Sequence, residues 1–199
     1  MLHKVLKAPG IIWRWIFVNI FRWYYYDSKY FKSKWFNSIN EWGWRWAYRD
    51  IWHRLIFKTN KDIRWPVAPT IDCGPNVFFD IDDINIFSGG SGYFQTIDAS
   101  IYIGKGSWIA RNVGIITTNH DLLNPANHQK GKDVVIGDEC WIGMNSVILP
   151  GVVLGDHTIV GAGAIVTKSF PEGYCVLVGN PAREIKKLDH KIKKLDHNS

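Results

Sequence analysis

The chain has 199 residues, 46% hydrophobic and 21% charged, with a net charge of +6. That excludes a disordered tail and fits one medium domain carrying an appendage, or two small units. Residues 1–65 hold nine of the 11 tryptophans and 13 Lys/Arg against 4 Asp/Glu, a net of +9; residues 66–199 hold 11 against 14, a net of −3, so the basicity is local and does not read as a general nucleic-acid signal.

Residues 1–65 read as helix and turn. Arg14, Asn19 and Arg22 cut the apolar stretch Ile11–Tyr26, and no small-residue cleavage site follows it. Neither a secretory signal nor a membrane-spanning helix is therefore expected. Lys7, Arg14, Arg22 and Lys29 are spaced seven, eight and seven apart. On a helix they would form one slowly drifting basic stripe, with Ile12, Trp13, Ile16, Phe17, Ile20 and Trp23 elsewhere on its surface. Two readings stand: a helix lying in a membrane interface, or an apolar helix packed on the rest of the protein or on a partner subunit. Trp65-Pro66-Val67-Ala68-Pro69 marks a boundary, because two prolines in four residues fix an extended turn.

Beyond it runs a six-residue period. Aliphatic residues recur at Ile136, Ile142, Ile148, Leu154, Val160 and Val166, after an earlier run at Ile97, Ile103, Ile109 and Ile115. Small residues follow many of them: Gly104, Ala110, Gly137, Gly143, Gly155 and Gly161. Six is a multiple of two and not of 3.6, so the pattern is one of strands. A fixed short repeat with glycine after the aliphatic residue predicts a β-helix, its coils stacked over one aliphatic core. An ordinary sandwich would need hairpin turns such as Asn-Gly, and none occurs. The stretch 116–135 breaks the phase. It contains Asn119-His120-Asp121, Asn124-Pro125 and His128, and must leave the coil as a loop of the kind that carries function. Cys73, Cys140 and Cys175 have neither CxxC nor metal spacing, which predicts no disulfide framework and a reducing cytoplasm. At the C-terminus, Ile185-Lys-Lys-Leu188-Asp-His-Lys191 is repeated as Ile192-Lys-Lys-Leu195-Asp-His-Asn198, which predicts a short amphipathic helix.

The run from Ile136-Gly-Asp-Glu-Cys-Trp-Ile-Gly-Met-Asn-Ser-Val to Ala164-Ile-Val-Thr-Lys168, with Gly179-Asn-Pro-Ala-Arg183, resembles the hexapeptide-repeat acyltransferases. Within them it is most similar to galactoside and maltose acetyltransferases and to bacterial polysaccharide O-acetyltransferases. The resemblance covers about residues 70–188 and leaves the aromatic third unexplained. It implies a mainly β fold, a left-handed parallel β-helix, as an exception to the right-handed crossover rule. It also implies a homotrimer with acetyl-coenzyme A bound between neighbouring subunits. The expected organisation is a basic aromatic helical segment (1–65), the β-helix with its loop (66–178), and a coenzyme-contacting turn and helix (179–199).

By the same resemblance His120 corresponds to a catalytic histidine. Imidazole suits that role, because a sugar hydroxyl is a poor nucleophile and a base with a pKa near 7 can take its proton as it attacks the thioester. The backbone N–H of Met144 corresponds to an oxyanion donor. Ala110, Gly143, Met144, Ala162, Thr167, Lys168, Arg183 and Lys186 align with coenzyme positions, the basic ones facing phosphates and adenine. No metal is called for. Asn85, Tyr93, Asp121 and Trp141 are candidate acceptor contacts. Where the sugar acetyltransferases carry an acceptor-binding asparagine, this chain has Ser88-Gly89-Gly90-Ser91-Gly92. The expectation is an O-acetyltransferase acting on a surface polysaccharide or its lipid-linked precursor. The expected location is the cytoplasm and, on the membrane reading of residues 1–65, peripherally on the inner face of the cell membrane. The rival readings are an N-acetyltransferase on an amino-sugar nucleotide, a serine acetyltransferase, and a non-catalytic β-helix scaffold.

Overall fold

A computed structural model of the chain describes residues 8–189. From Ile71 onward the chain winds as a solenoid with three parallel faces. One sheet stacks Ile71–Cys73, Gly92–Gln95, Val113–Ile116, Val147–Ile148 and Ile165–Val166. A second stacks Val77–Phe79, Ile101–Ile103, Val134–Ile136 and Val153–Leu154, and a third Trp108–Ile109, Trp141–Ile142, Ile159–Val160 and Cys175–Val178. The architecture is the expected β-helix and is consistent with a left-handed one. Coil length follows from the register: Ile165 pairs with Val147 and Val153 with Val135, each 18 residues apart, three hexapeptides per coil. Trp141 pairs with Trp108, 33 residues away, so the loop adds 15 to that coil.

Ile136, Ile142, Ile148, Leu154, Val160 and Val166 are all at most 1% exposed, one inward side chain per hexapeptide. The glycines after them are needed for space. A Cβ on Gly143 would lie 2.6 Å from the Val160 carbonyl oxygen and 2.7 Å from the Ala162 nitrogen of the next coil. The sharp backbone turn falls elsewhere, on Glu139, Asn145, Gly151, His157 and Gly163, which have positive φ at six-residue intervals. The earliest coils are longer, with Ile71 and Gly92 paired 21 residues apart. Ile97, assigned by phase to the core, therefore lies in an exposed bend.

Two helices precede the solenoid: α1 (Ala8–Tyr25) and α2 (Trp42–Phe57), joined by short 3-10 turns at Ser28–Lys32 and Lys34–Phe36. Phe17, Val18 and Tyr26 are buried with Trp44, Ala47 and Ile51 between the helices. Tyr30, Trp46, Ile63 and Trp65 join the core of the β-helix itself. The aromatic third thus closes the open end of the first coil. Trp65, Pro66, Val67 and Ala68 are buried, so the proline-rich boundary is a packed junction. The packing reading holds for the inner side of α1. Its outer side, with Ile12, Trp13, Ile16, Ile20 and Trp23, remains exposed. The basic stripe needs correction. Arg14 and Arg22 lie on α1, Lys29 belongs to the 3-10 turn after the helix ends, and Lys7 lies outside the described residues.

The C-terminal helix also needs correction at its start. Arg183–Lys187 forms a strand antiparallel to Cys175–Val178. The last coil presents an unpaired sheet edge, and pairing with it satisfies backbone groups that two isolated heptads of helix could not bury. The second heptad lies outside the described residues.

Candidate active site

The 15-residue insertion is built as a closed finger. Its base is buried: Thr117 Oγ1 donates to the Ile97 carbonyl (3.1 Å), and Thr118 Oγ1 to the Gln129 carbonyl (2.7 Å). The Thr118 N–H donates to Gln95 Oε1 (3.1 Å). Backbone bonds from Lys132 to Thr117, Gln129 to Asn119 and Asp121 to Asn127 zip the two sides together. At the tip, Asp121 Oδ1 accepts from the N–H groups of Leu123 and Asn124, both at 2.9 Å. The Asn124 and then the Leu123 hydrogen bond hold its carboxyl below the usual range. Asp121, expected as an acceptor contact, therefore has one oxygen engaged in shaping the loop.

His120 sits on this finger, exposed, in a β-bridge to His128 with the two rings 4.5 Å apart. Its Nδ1 lies 2.6 Å from the Pro125 carbonyl oxygen. A carbonyl can only accept, so Nδ1 carries the proton and Nε2 of the neutral ring keeps its lone pair. That is the tautomer a general base needs. Sequence reasoning missed Gln95 and Pro125 and gave His128 a place in the loop without a role. The signals present were a polar residue in the strand below the loop, an Asn-Pro turn, and a second histidine in the same insertion.

The other expected residues fall on two corners of the prism. Ala110, Gly143, Met144 and Ala162 line the corner that leads into the first sheet. There Gly143 N–H donates to Val160 and Gly163 N–H to Met144, both at 2.8 Å. The N–H groups of Met144 and Ala162 donate to no group among the described residues, so this column holds unused donors. Thr167 and Lys168 follow the last strand of that sheet and share the opposite corner with the base of the His120 finger. His120 and Met144 of one chain therefore lie at the two edges of one sheet and do not meet. Arg183 and Lys186 are exposed on the terminal strand, and Lys168 Nζ stands 5.4 Å above the Phe170 ring.

Tyr93, 44% exposed, faces outward and lines a cavity of about 260 Å³ with Gln95 and Ile97 beside the base of the finger. Trp141 and Trp108 occupy adjacent rungs of the third sheet, 56% and 63% exposed. Asn85 lies half-buried in the 3-10 turn Ile81–Phe87 on the first coil. All three cysteines are buried free thiols, and burial pushes Cys140 up to about 11, which argues against a nucleophilic role. No cluster of metal-ligating side chains occurs among the described residues.

Residues 133–168 match the family model for the bacterial transferase hexapeptide (six repeats). A Dictyostelium discoideum protein carrying a provisional acetyltransferase name is 35% identical over 144 residues, 70% of this chain and 73% of that one. The galactoside O-acetyltransferase of Escherichia coli K12 is 37% identical over 103 residues, 48% of either chain. Against that relative, as against others, the chain spans about half the length. Among solved structures, a hexapeptide-repeat acetyltransferase of Vibrio cholerae complexed with acetyl coenzyme A superposes with a TM-score of 0.50 at 27% identity, over 62% of this chain and 67% of that one.

Proposed function

Because this chain belongs to the hexapeptide-repeat acetyltransferase family, we propose that it transfers an acetyl group from acetyl-coenzyme A to a carbohydrate hydroxyl, with His120 as general base. The observation that carries the reading is the His120 ring, with Nδ1 tied to the Pro125 carbonyl at 2.6 Å and Nε2 without a partner among the described residues, on a finger anchored by buried threonines. Nε2 takes the hydroxyl proton as the oxygen attacks the thioester carbon, and returns it to the departing thiol as the C–S bond breaks. The free N–H of Met144 stabilises the oxygen on which negative charge develops.

The residues of the two corners fit the coenzyme chemically. Gly143 and Ala162 leave room for a thin arm against the backbone at one, and Lys168 at the other, with Arg183 and Lys186 on the terminal strand, supplies cations for its phosphates. The separation of His120 from Met144 within one chain supports sites between the subunits of a homotrimer. So do Leu122 and Leu123 at the tip of the finger, 87% and 97% exposed and unlike any residues that would stay in water by preference.

The acceptor is proposed to be a sugar of a surface polysaccharide or its lipid-linked precursor. No helix among the described residues is long and apolar enough to cross a membrane. The exposed apolar side of α1 supports peripheral contact with a membrane, read by pelleting the full chain with anionic vesicles before and after Trp13→Ser, Ile20→Ser and Trp23→Ser are combined. The function itself is tested by release of free thiol from acetyl-coenzyme A against a panel of sugars. His120→Ala lowers turnover by about 10²–10⁴ if the ring is the base, and near-wild-type turnover in that variant overturns the reading.

A further inference from the structure

A cavity of about 590 Å³ opens where α2 meets the first coils. One wall is a single face of α2, because Trp42, Arg45, Trp46 and Arg49 stand at positions i, i+3, i+4 and i+7. The opposite wall is backbone: Pro69 and Thr70 before the first strand, and Ser88, Gly89 and Gly90 before the next turn of the same sheet. Thr70 Oγ1 donates to the Gly90 carbonyl and holds the two segments together. The cavity therefore lies at the edge where the strands of this sheet begin. The His120 finger leaves from the edge where they end, so this is a separate place on the molecule.

Three features point to a ligand. Arg45 and Arg49 are exposed and make no ion pair or hydrogen bond among the described residues, so two guanidinium groups flank the opening without a partner. Trp42 presents 37% of its surface there, a flat apolar face beside the two cations. The third feature is the most specific. Trp46, 6% exposed, and Asp50, 1% exposed, both line the cavity, and each carries a buried polar atom with no partner: the indole Nε1 and the carboxylate Oδ1. The other oxygen of Asp50 is saturated by Arg54, Tyr26 and the N–H of Val67, so its charge is already balanced.

An indole N–H can only donate and a carboxylate oxygen can only accept. The group that answers both, and can be repeated around a ring, is the hydroxyl of a sugar. Guanidinium forks answer a phosphate or a carboxylate. We propose that this cavity binds an anionic sugar, with its ring against Trp42, its charged group on Arg45 and Arg49, and hydroxyls on Trp46 Nε1 and Asp50 Oδ1, both of which lie covered in the free protein and are reached when the Trp46 ring turns. The aromatic third then carries a carbohydrate site of its own, apart from the transfer centre. This inference does not depend on His120 or on acetyl transfer.

The test is calorimetric titration of the full chain with galactose 1-phosphate, galacturonate, galactose and inorganic phosphate. Either anionic sugar binds at least about tenfold more tightly than galactose, and the tighter of the two identifies the charged group. Arg45→Ala with Arg49→Ala reduces both to the level of galactose. Trp46→Phe keeps an aromatic ring and removes the donor; it weakens sugar binding several-fold, and because the smaller ring leaves a void in the core the titration is run well below its lowered melting midpoint. Equal affinity for galactose and its anionic forms overturns the proposal, as does full affinity in the double arginine variant. Inorganic phosphate binding as tightly as the sugar phosphate removes the sugar from it. Running the same titrations on His120→Ala keeps the two hypotheses apart, since binding persists there whatever becomes of turnover.

Discussion

Arg54 ties helix α2 to the segment that leads into the β-helix, and its removal is the sharpest test of how that junction is held. The side chain is 3% exposed, and all of its nitrogens are engaged. Nε pairs with Asp50 Oδ2 at 2.9 Å, Nη1 donates to the carbonyls of Asn60 (2.8 Å) and Ile63 (2.7 Å), and Nη2 donates to that of Trp65 (2.7 Å). Burial pushes the Asp50 carboxyl up, and Arg54, the Tyr26 hydroxyl and the Val67 N–H pull it back. Arg54→Ala leaves a buried carboxylate without its cation and the carbonyls of Ile63 and Trp65 without donors, while that of Asn60 keeps the Ile63 N–H. Breaking one partner of such a pair costs about 3–5 kcal/mol. For a chain of this size that lowers the melting midpoint by about 6–20 °C. Asp50→Ala should cost a similar amount by orphaning the guanidinium. The double variant should cost less than the sum, by an interaction energy of about 0.5–3 kcal/mol. Differential scanning calorimetry at one fixed protein concentration reads all three. A fall of less than about 3 °C for Arg54→Ala, or strict additivity of the two single changes, refutes the reasoning.

Two further outcomes follow from the solenoid and its finger. A Cβ on Gly137 would lie 2.6 Å from the Asp156 nitrogen and 2.8 Å from the Gly155 carbon of the coil above. Gly137→Ala should therefore cost about 1–3 kcal/mol, read by calorimetry, whereas Gly10→Ala, with open space around the new methyl, leaves the midpoint unchanged or raises it. The Asp121 carboxyl is held below its ordinary pKa by the N–H groups of Asn124 and Leu123. Its contribution to the turn is present above the ordinary carboxylate range and is lost as pH falls through the depressed value. Protection of the Leu123 and Asn124 amides, measured against the intrinsic exchange rate at each pH, should fall on acidification while the coils stay protected, and Asp121→Ala should show the low protection at neutral pH.

How much of this was legible in the sequence depends on the length scale of the cause. The period of Ile136, Ile142 and Ile148 is local, and the sheets followed it. The break at 116–135 was visible because it violated that period, and the register measures it as 15 inserted residues. The positive φ of Glu139 and His157 was not legible: it is enforced by stacking on neighbouring coils, against their own preferences. Ile97 and the Ile185 heptad were misread because each had a plausible pattern and the deciding factor was remote. For Ile97 it was the extra length of the first coils, and for Ile185 an open sheet edge. Within the candidate site His120 could be named from the resemblance, but the Pro125 carbonyl that sets its tautomer depends on how the finger closes. The cavity beside Trp46 arises where residues 42–50 meet residues 68–70 and 88–90, a meeting with no signature in either segment.

The placement of His120 and Met144 at opposite edges of one sheet leads to a last prediction. If transfer needs both, the two must come from different copies of the chain, and two inactive variants can then repair each other. His120→Ala removes the base, and Met144→Pro removes the N–H that would meet the oxyanion. On the trimer proposed above, co-expression of the two variants in equal amounts gives sites that each draw one element from each neighbour. A site has an intact histidine half the time and an intact donor half the time, so about a quarter of the sites are whole. Thiol release from acetyl-coenzyme A in the mixed preparation should recover to about a quarter of the wild-type rate, while each variant alone stays down by about 10²-fold or more. A site contained within one chain predicts the opposite: every chain in the mixture lacks one element, and the mixture stays at the average of its parents. Recovery also requires that both variants melt like the wild type, which calorimetry checks before mixing. No gain over the parents, with folding intact, would refute the shared site and return His120 and Met144 to separate roles.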